Sequence, residues 1–311
     1  MTRPDRRQFV AGSAVAAGAL ALGLTPGGVL VGRADEGPVG LKDAPRPAGT
    51  GTPAPFKKAV KIGMVKIEGD LTAKLTTLAE LGYDGIELDG PGSFTAEEVK
   101  RAIDASGIPV HGVVDNRHWK ETLSDPDPAV REKGREALIG AIAAAKSYGA
   151  TSVLLVPGVV KGPVTYQECW DRSIVEIKKV LPIAGEQGIA ILIENVWNDF
   201  LTSAEDFARY LDDIGSDLVG AYFDIGNVVK YGPPEAWIPT LGTRIKKLDV
   251  KGYGQEKGFK HTILDGDIDW PAVVKELKKL NYSGWATAEV AGGDREYLAS
   301  IASMMDKALA G

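Results

Sequence analysis

The sequence predicts a TIM (β/α)8 barrel, preceded by an export signal and a flexible linker. Three observations lead there. From residue 60 onward, short apolar runs alternate with longer amphipathic stretches, the pattern of strand–helix units. Eight such runs fall within about 250 residues, the number and length of one barrel. A doubly wound open sheet is the rival, but its Gly-rich dinucleotide fingerprint is missing after the first strand, where the chain reads GMVKIEGD.

Residues 1–34 are set apart from the barrel. Arg6 and Arg7 precede Gln8, Phe9, Val10 and a long uncharged run rich in Ala and Gly. This resembles a twin-arginine export signal, with a candidate cleavage point after Ala34. An uncleaved anchor is the alternative, since the run is about long enough to span a bilayer. The excess of Ala and Gly over Phe, Ile and Leu favours the signal. The expectation is a periplasmic or extracellular protein with no stable membrane insertion once the signal is removed. The twin-arginine route carries folded proteins, which suits one that loads a metal before export. Residues 35–59 are rich in Pro, Gly, Thr and Ala and read as a linker. The barrel is expected over 60–311.

The predicted strands are VKIGMV (60–65), GIEL (85–88), PVHGVV (109–114), SVLLV (152–156), IAILIE (189–194), LVGAYFD (218–224), RIKKLDV (244–250) and WATAEV (285–290). Helical stretches such as TAEEVKRAIDASG and AEDFARYLDDIG lie between them, each ending in Gly as helices often do.

Charge and cysteine content narrow the classes. The chain carries a net −6, of which residues 1–34 contribute +3, so the remainder stands at −9. An acidic chain without a basic run is a poor nucleic-acid binder. Cys169 is the single cysteine, so no intrachain disulfide forms.

In such a barrel the chemistry sits at the C-terminal ends of the strands. Glu194, Asp224, Asp249 and Glu289 fall at the ends of the fifth to eighth strands. Strand alternation aims Glu194, Asp224 and Glu289 into the barrel mouth. Four acids there repel one another, and a divalent cation is the simplest compensation. Taken singly, a strand-end acid is more often solvated or ion-paired, and for Glu87 at the end of the second strand that reading and a substrate-binding role stand level.

The segments HWKETLSDPDPAVREKG, VLLVPGVV, IENVWNDFLTS, YFDIGNVVKYGPPEAWI and DGDIDW carry a family likeness over about residues 60–309. The chain resembles the xylose isomerase-like sugar isomerases and epimerases, within them the pentulose- and hexulose-phosphate 3-epimerase branch. The resemblance implies one divalent metal, Mn2+ first, with Mg2+ or Co2+ as alternatives. It implies Glu194, Asp224 and Glu289 as ligands, with Asp249 standing where the family has histidine. Lys251 keeps the family lysine of that strand, Gly252 replaces its following acid, and Asn227 replaces another frequent histidine. An all-oxygen set favours Mg2+ or Mn2+ over zinc. The alternative partner for Asp249 is Lys251, two residues along the same strand face.

The resemblance further implies proton abstraction beside a carbonyl, with Glu194 and Glu289 carrying the proton across an enediolate. Candidate substrate-binding residues are Glu87, His111, His118, Trp197, Asn227, Lys251 and His261, with Trp119 as a second apolar wall. The expected partner is a small sugar, unphosphorylated because the protein is exported, and a homo-oligomer is the expected assembly. The first reading is a metal-dependent isomerase or epimerase of a keto-sugar. A lyase on 3-keto-glycosides is the second, and a non-catalytic sugar-binding barrel the third.

Overall fold

The computed structural model describes residues 56–310. The expected export signal, and the linker as far as residue 55, lie outside the described residues. Eight parallel strands close into a barrel in chain order: β1 (Lys57–Lys61), β2 (Gly85–Gly90), β3 (Val110–Asp115), β4 (Ser152–Leu155), β5 (Ala190–Glu194), β6 (Val219–Asp224), β7 (Ile245–Val250) and β8 (Trp285–Ala288). The open-sheet rival is thereby excluded. Among the described residues, no helix is long and apolar enough to cross a membrane.

The helix ends follow local chemistry. In the helix Ala96–Ser106, the Thr95 hydroxyl accepts from Glu98 N while the Glu98 carboxylate accepts from Thr95 N, a reciprocal cap. Gly107 closes that helix at φ 72°, a left-handed conformation that costs glycine little. Ala204–Ile214 is capped by Ser203 and its buried face carries Phe207, Tyr210 and Leu211. These two helices match the two sequence stretches that predicted them.

The first strand departs from expectation. It runs over 57–61 instead of 60–65, and Ile62–Met64 form a 3-10 turn. Residues 56–59, expected in the linker, therefore belong to the barrel. Lys57 and Lys58 disguise the strand because they stand at the N-terminal rim, where polar heads reach solvent. Lys57 lies over the Trp285 ring, and Lys58 Nζ pairs with Asp306 at 2.7 Å. Backbone pairing with both β2 and β8 fixes the segment despite its charge.

Most apolar burial lies between strands and helices. Inside the barrel a small apolar layer of Leu154, Leu192 and Tyr222 is flanked by Val114 and Ala190. The interior also holds Glu87, His111, Lys247 and Thr287, all buried and polar. Gly112 makes room for them, since a Cβ there would lie 2.6 Å from Glu87 Oε1 and 3.1 Å from Lys247 Nζ.

Candidate active site

Strand register gathers the acids. Glu194 ends β5 and Asp224 ends β6. Asp249 on β7 is the direct register partner of Asp224. Glu289 follows β8, tied there by its N–H to Val250 O at 3.0 Å. One carboxylate oxygen from each of the four lies within 4.8 Å of the others. Asp224 and Asp249 are fully buried, and Glu289 keeps 26% of its side chain exposed.

Two lysines enter this cluster. Lys61 ends β1, and because Val60 pairs with Ala288, it stands beside Glu289. Its ammonium donates to Asp249 Oδ2 and Glu289 Oε1, each at 2.8 Å. Lys251 pairs with Asp224 Oδ2 at 2.6 Å and donates to Glu289 Oε2. Gly226 lets the Lys251 stem pass, since a Cβ would collide with its Cγ. The alternative partner expected for Asp249 was Lys251, but Lys61 takes that place. The side chain of Lys251 turns away to the neighbouring strands.

Asn195 and Asn227 hold Asp224. Asp224 N donates to Asn195 Oδ1, and Asn195 Nδ2 donates back to Asp224 O, both at 2.9 Å. Asn227 donates through its backbone N to Asp224 Oδ1 at 2.9 Å and through Nδ2 to Oδ2 at 2.6 Å. Asn227 thus reaches the cluster by orienting Asp224 as well as by lining the cavity.

Proton affinities are uneven. Burial pushes the Glu194 carboxyl up to about 8, with like-charged Glu289 and Asp224 adding to the shift. Burial likewise raises Asp224 and Asp249. Burial opposes ionisation of Glu289 too, but the ammoniums of Lys61 and Lys251 overcome it and hold Glu289 well below the usual range. Burial also works against the charge on Lys61, yet Asp249 and Glu289 keep it raised.

The cluster can hold a divalent cation. With all four carboxylates ionised, as ligands to a cation must be, the two ammoniums leave a charge of −2. Asp249 Oδ1 is buried with no hydrogen-bond partner among the described residues. The all-oxygen donor set suits Mn2+ or Mg2+.

Above the acids opens a cavity of about 420 Å3. His118, Trp119, Trp197, Asn227 and Lys251 line it, as do Lys61, Asp89 and Phe259. His118 is nearly buried. Its Nδ1 accepts from Val156 N at 3.2 Å, and burial lowers its proton affinity to about 3, so the ring is neutral. Trp197 donates from Nε1 to Asn227 O at 2.9 Å and packs against Tyr253 and Phe259.

Three expected site residues stand elsewhere. Glu87 is the third residue of β2, not its end, and Asp89 reaches the cavity in its stead. Glu87 is buried deeper, where Tyr222 Oη donates to its Oε2 at 3.2 Å. His111 is the second residue of β3, stacked on Trp285 with ring centroids 4.4 Å apart and joined to Lys247 and Thr287. Both belong to the polar filling below the acids. His261 sits outside the cavity lining, with Nδ1 3.1 Å from Asp265 Oδ2. Lys61, Asp89, Asn195 and Phe259 escaped the sequence reading. The signal for Lys61 was its register opposite β8, invisible while β1 was placed three residues late.

Residues 75–307 match the family model described as xylose isomerase-like TIM barrel. Hydroxypyruvate isomerase of Escherichia coli (strain K12) is 20% identical over 249 residues, covering 74% of this chain and 92% of that protein. The 2-epi-5-epi-valiolone 7-phosphate 2-epimerase of Actinoplanes sp. (strain ATCC 31044 / CBS 674.73 / SE50/110) is 25% identical over 178 residues. That match covers 54% of this chain and 62% of the relative, so the chain spans less than two thirds of its length. Among solved structures, a D-tagatose 3-epimerase-like protein superposes with a TM-score of 0.70 at 21% identity, covering 82% of this chain and 97% of that one.

Proposed function

The chain belongs to the xylose isomerase-like TIM barrel family, and from that premise we propose that it isomerises or epimerises a keto-sugar by moving a proton beside the carbonyl. The observation that carries the reading is the placing of Glu194 and Glu289 at one cavity floor. Both line the cavity, and a carboxylate oxygen of each lies within 4.8 Å of the other's, so one substrate carbon reaches both. One carboxylate can then take a C–H proton as the other carboxyl returns one, which is what enediolate chemistry requires. The similar proteins named as an isomerase and a 2-epimerase support the same class.

Each residue has a part in this reading. Glu194 and Glu289 take the proton from the carbon next to the carbonyl and return one to the resulting enediolate. Lys251 and Lys61 place positive charge beside the oxygens where negative charge develops. His118, Asn227 and Trp197 shape the cavity around the sugar. Glu194, Asp224, Asp249 and Glu289 would hold the divalent ion, Mn2+ in the first instance. Such an ion supplies, when bound, Lewis-acid stabilisation of the enediolate charge. Export, read from Arg6 and Arg7, makes the substrate a free sugar instead of a phosphate ester, met in the periplasm or outside the cell.

A specific observation favours a second reading. Trp119, Trp197 and Phe259 are exposed at the cavity, more apolar surface than a lone polyol needs. A 3-keto-glycoside would set its substituent there. The first proton transfer would be unchanged; a double bond would then form between C1 and C2 as the C1–O bond breaks, and the glutamate that took the C2 proton would return it to the departing glycosidic oxygen. The test is a screen of free keto-sugars and 3-keto-glycosides with Mn2+-supplemented protein, products being identified by NMR. Isomerised or epimerised ketose is expected. Cleaved glycoside without ketose turnover would replace this reading with the lyase, and turnover of neither class would remove both.

A further inference from the structure

Lys61 is 6% exposed and stands among acids that a cation would otherwise have to neutralise alone. Its contact with Asp249 is one-sided. The ammonium takes Oδ2 at 2.8 Å, and Oδ1 remains buried without a partner among the described residues. A bare buried carboxylate oxygen is costly unless something binds it. Lys251 pairs with Asp224 and Glu289, so of the two acids it leaves, Glu194 and Asp249, Asp249 is the one that Lys61 holds. Three other carboxylates crowd the same volume. A fourth full negative charge is tolerable there only with a positive charge fixed against it.

We propose that Lys61 and Asp249 work as one unit that gives the cluster a donor oxygen without adding net charge. Lys61 is a positioning residue: it holds Asp249 Oδ2 and cancels the charge, leaving Oδ1 free to bind a cation. The pair therefore sets how strongly the cluster attracts a divalent ion. This rests on the divalent-ion reading above. With both residues present and every carboxylate ionised, as in the cation-bound cluster, the six groups carry −2. Removing only the lysine charge leaves −3, and removing only the aspartate charge leaves −1. Removing both restores −2.

The experiment is a charge cycle read by metal affinity. The full chain is stripped of metal with chelator and titrated with Mn2+, free ion being followed by EPR. The variants are Lys61→Met, Asp249→Asn and the double substitution, with thermal melts recorded on each. Lys61→Met is expected to bind Mn2+ about tenfold more tightly or better, and Asp249→Asn about tenfold more weakly, as one nearby charge in a buried site commands. The double variant is expected within about threefold of the parent. Equal or weaker binding by Lys61→Met would overturn the proposal, and so would a double variant tenfold weaker than the parent. A merely structural Lys61 would lower the melting temperature without moving Mn2+ affinity. Should Lys61→Met not fold, the double variant, a near-isosteric uncharged pair, decides alone. No Mn2+ binding by the parent would overturn the divalent-ion reading together with this one. Binding by the parent with the wrong order among the variants would overturn the pair alone.

Discussion

Glu194→Gln should make the metal-free protein more stable while removing its activity. In the folded chain the Glu194 carboxyl is pushed up to about 8 by burial, against an ordinary value of 4.5. Between those values the folded state holds a proton that the unfolded state has released. Stability therefore falls as pH rises from about 4.5 to about 8, by roughly 1.4 kcal/mol per unit. At pH 7 the accumulated cost is about 2–4 kcal/mol, which glutamine, carrying no ionisable proton, does not incur. For a domain of this size that corresponds to a rise of about 5–10 °C in melting temperature. The assay is thermal unfolding of parent and variant in chelator at pH 7 and pH 4. The variant should exceed the parent at pH 7, and the gap should close at pH 4, where both states of the parent are protonated. Turnover should drop by about 100-fold or more, the usual cost of losing a proton-transferring group. A gap that is the same at both pH values would refute the idea that ionisation at Glu194 is what burial opposes.

Other sites give further expectations. Glu176 is buried and accepts from Arg131, Arg135 and Lys179. Although burial opposes its ionisation, the hydrogen bonds from Lys179, Arg135 and Arg131 lower its proton affinity. Its stabilisation is therefore present above the unfolded-state value and lost as pH falls through the folded one. Glu176→Gln should cost about 1–3 kcal/mol in urea unfolding at pH 7 and much less near pH 3. Asp249→His should retain metal with preference moved toward Co2+ or Zn2+, and Asp249→Ala should lose affinity; competition titrations of Mn2+ against Co2+ and Zn2+ check both. Changing Arg6 and Arg7 to Lys in a tagged chain should leave folded protein in the cytoplasm, read by cell fractionation.

The barrel was legible because its signals are local and repeated. Seven strands lie within two residues of the runs that announced them, since buried parallel strands are short apolar stretches. The eighth unit, at β1, was displaced because Lys57 and Lys58 at the rim resemble linker, while Ile62 and Met64 in the turn resemble strand. The acids were legible for a related reason: strand alternation points Glu194, Asp224 and Glu289 to one face. Depth along a strand is harder to read. Glu87 and His111 face the interior as alternation requires, but they sit below the mouth, and their exact level depends on barrel closure. Lys61 meets Asp249 across 188 positions of sequence, a distance over which no periodicity informs.

The most direct test of the account is turnover in D2O of a keto-sugar that the protein converts, followed by NMR. The account predicts deuterium at the carbon next to the carbonyl, and slower turnover when that carbon carries deuterium at the outset. It also predicts that Glu289→Gln abolishes both turnover and exchange. An active preparation whose product acquires no deuterium, and whose rate is indifferent to the isotope at that carbon, would contradict proton transfer by this pair of glutamates.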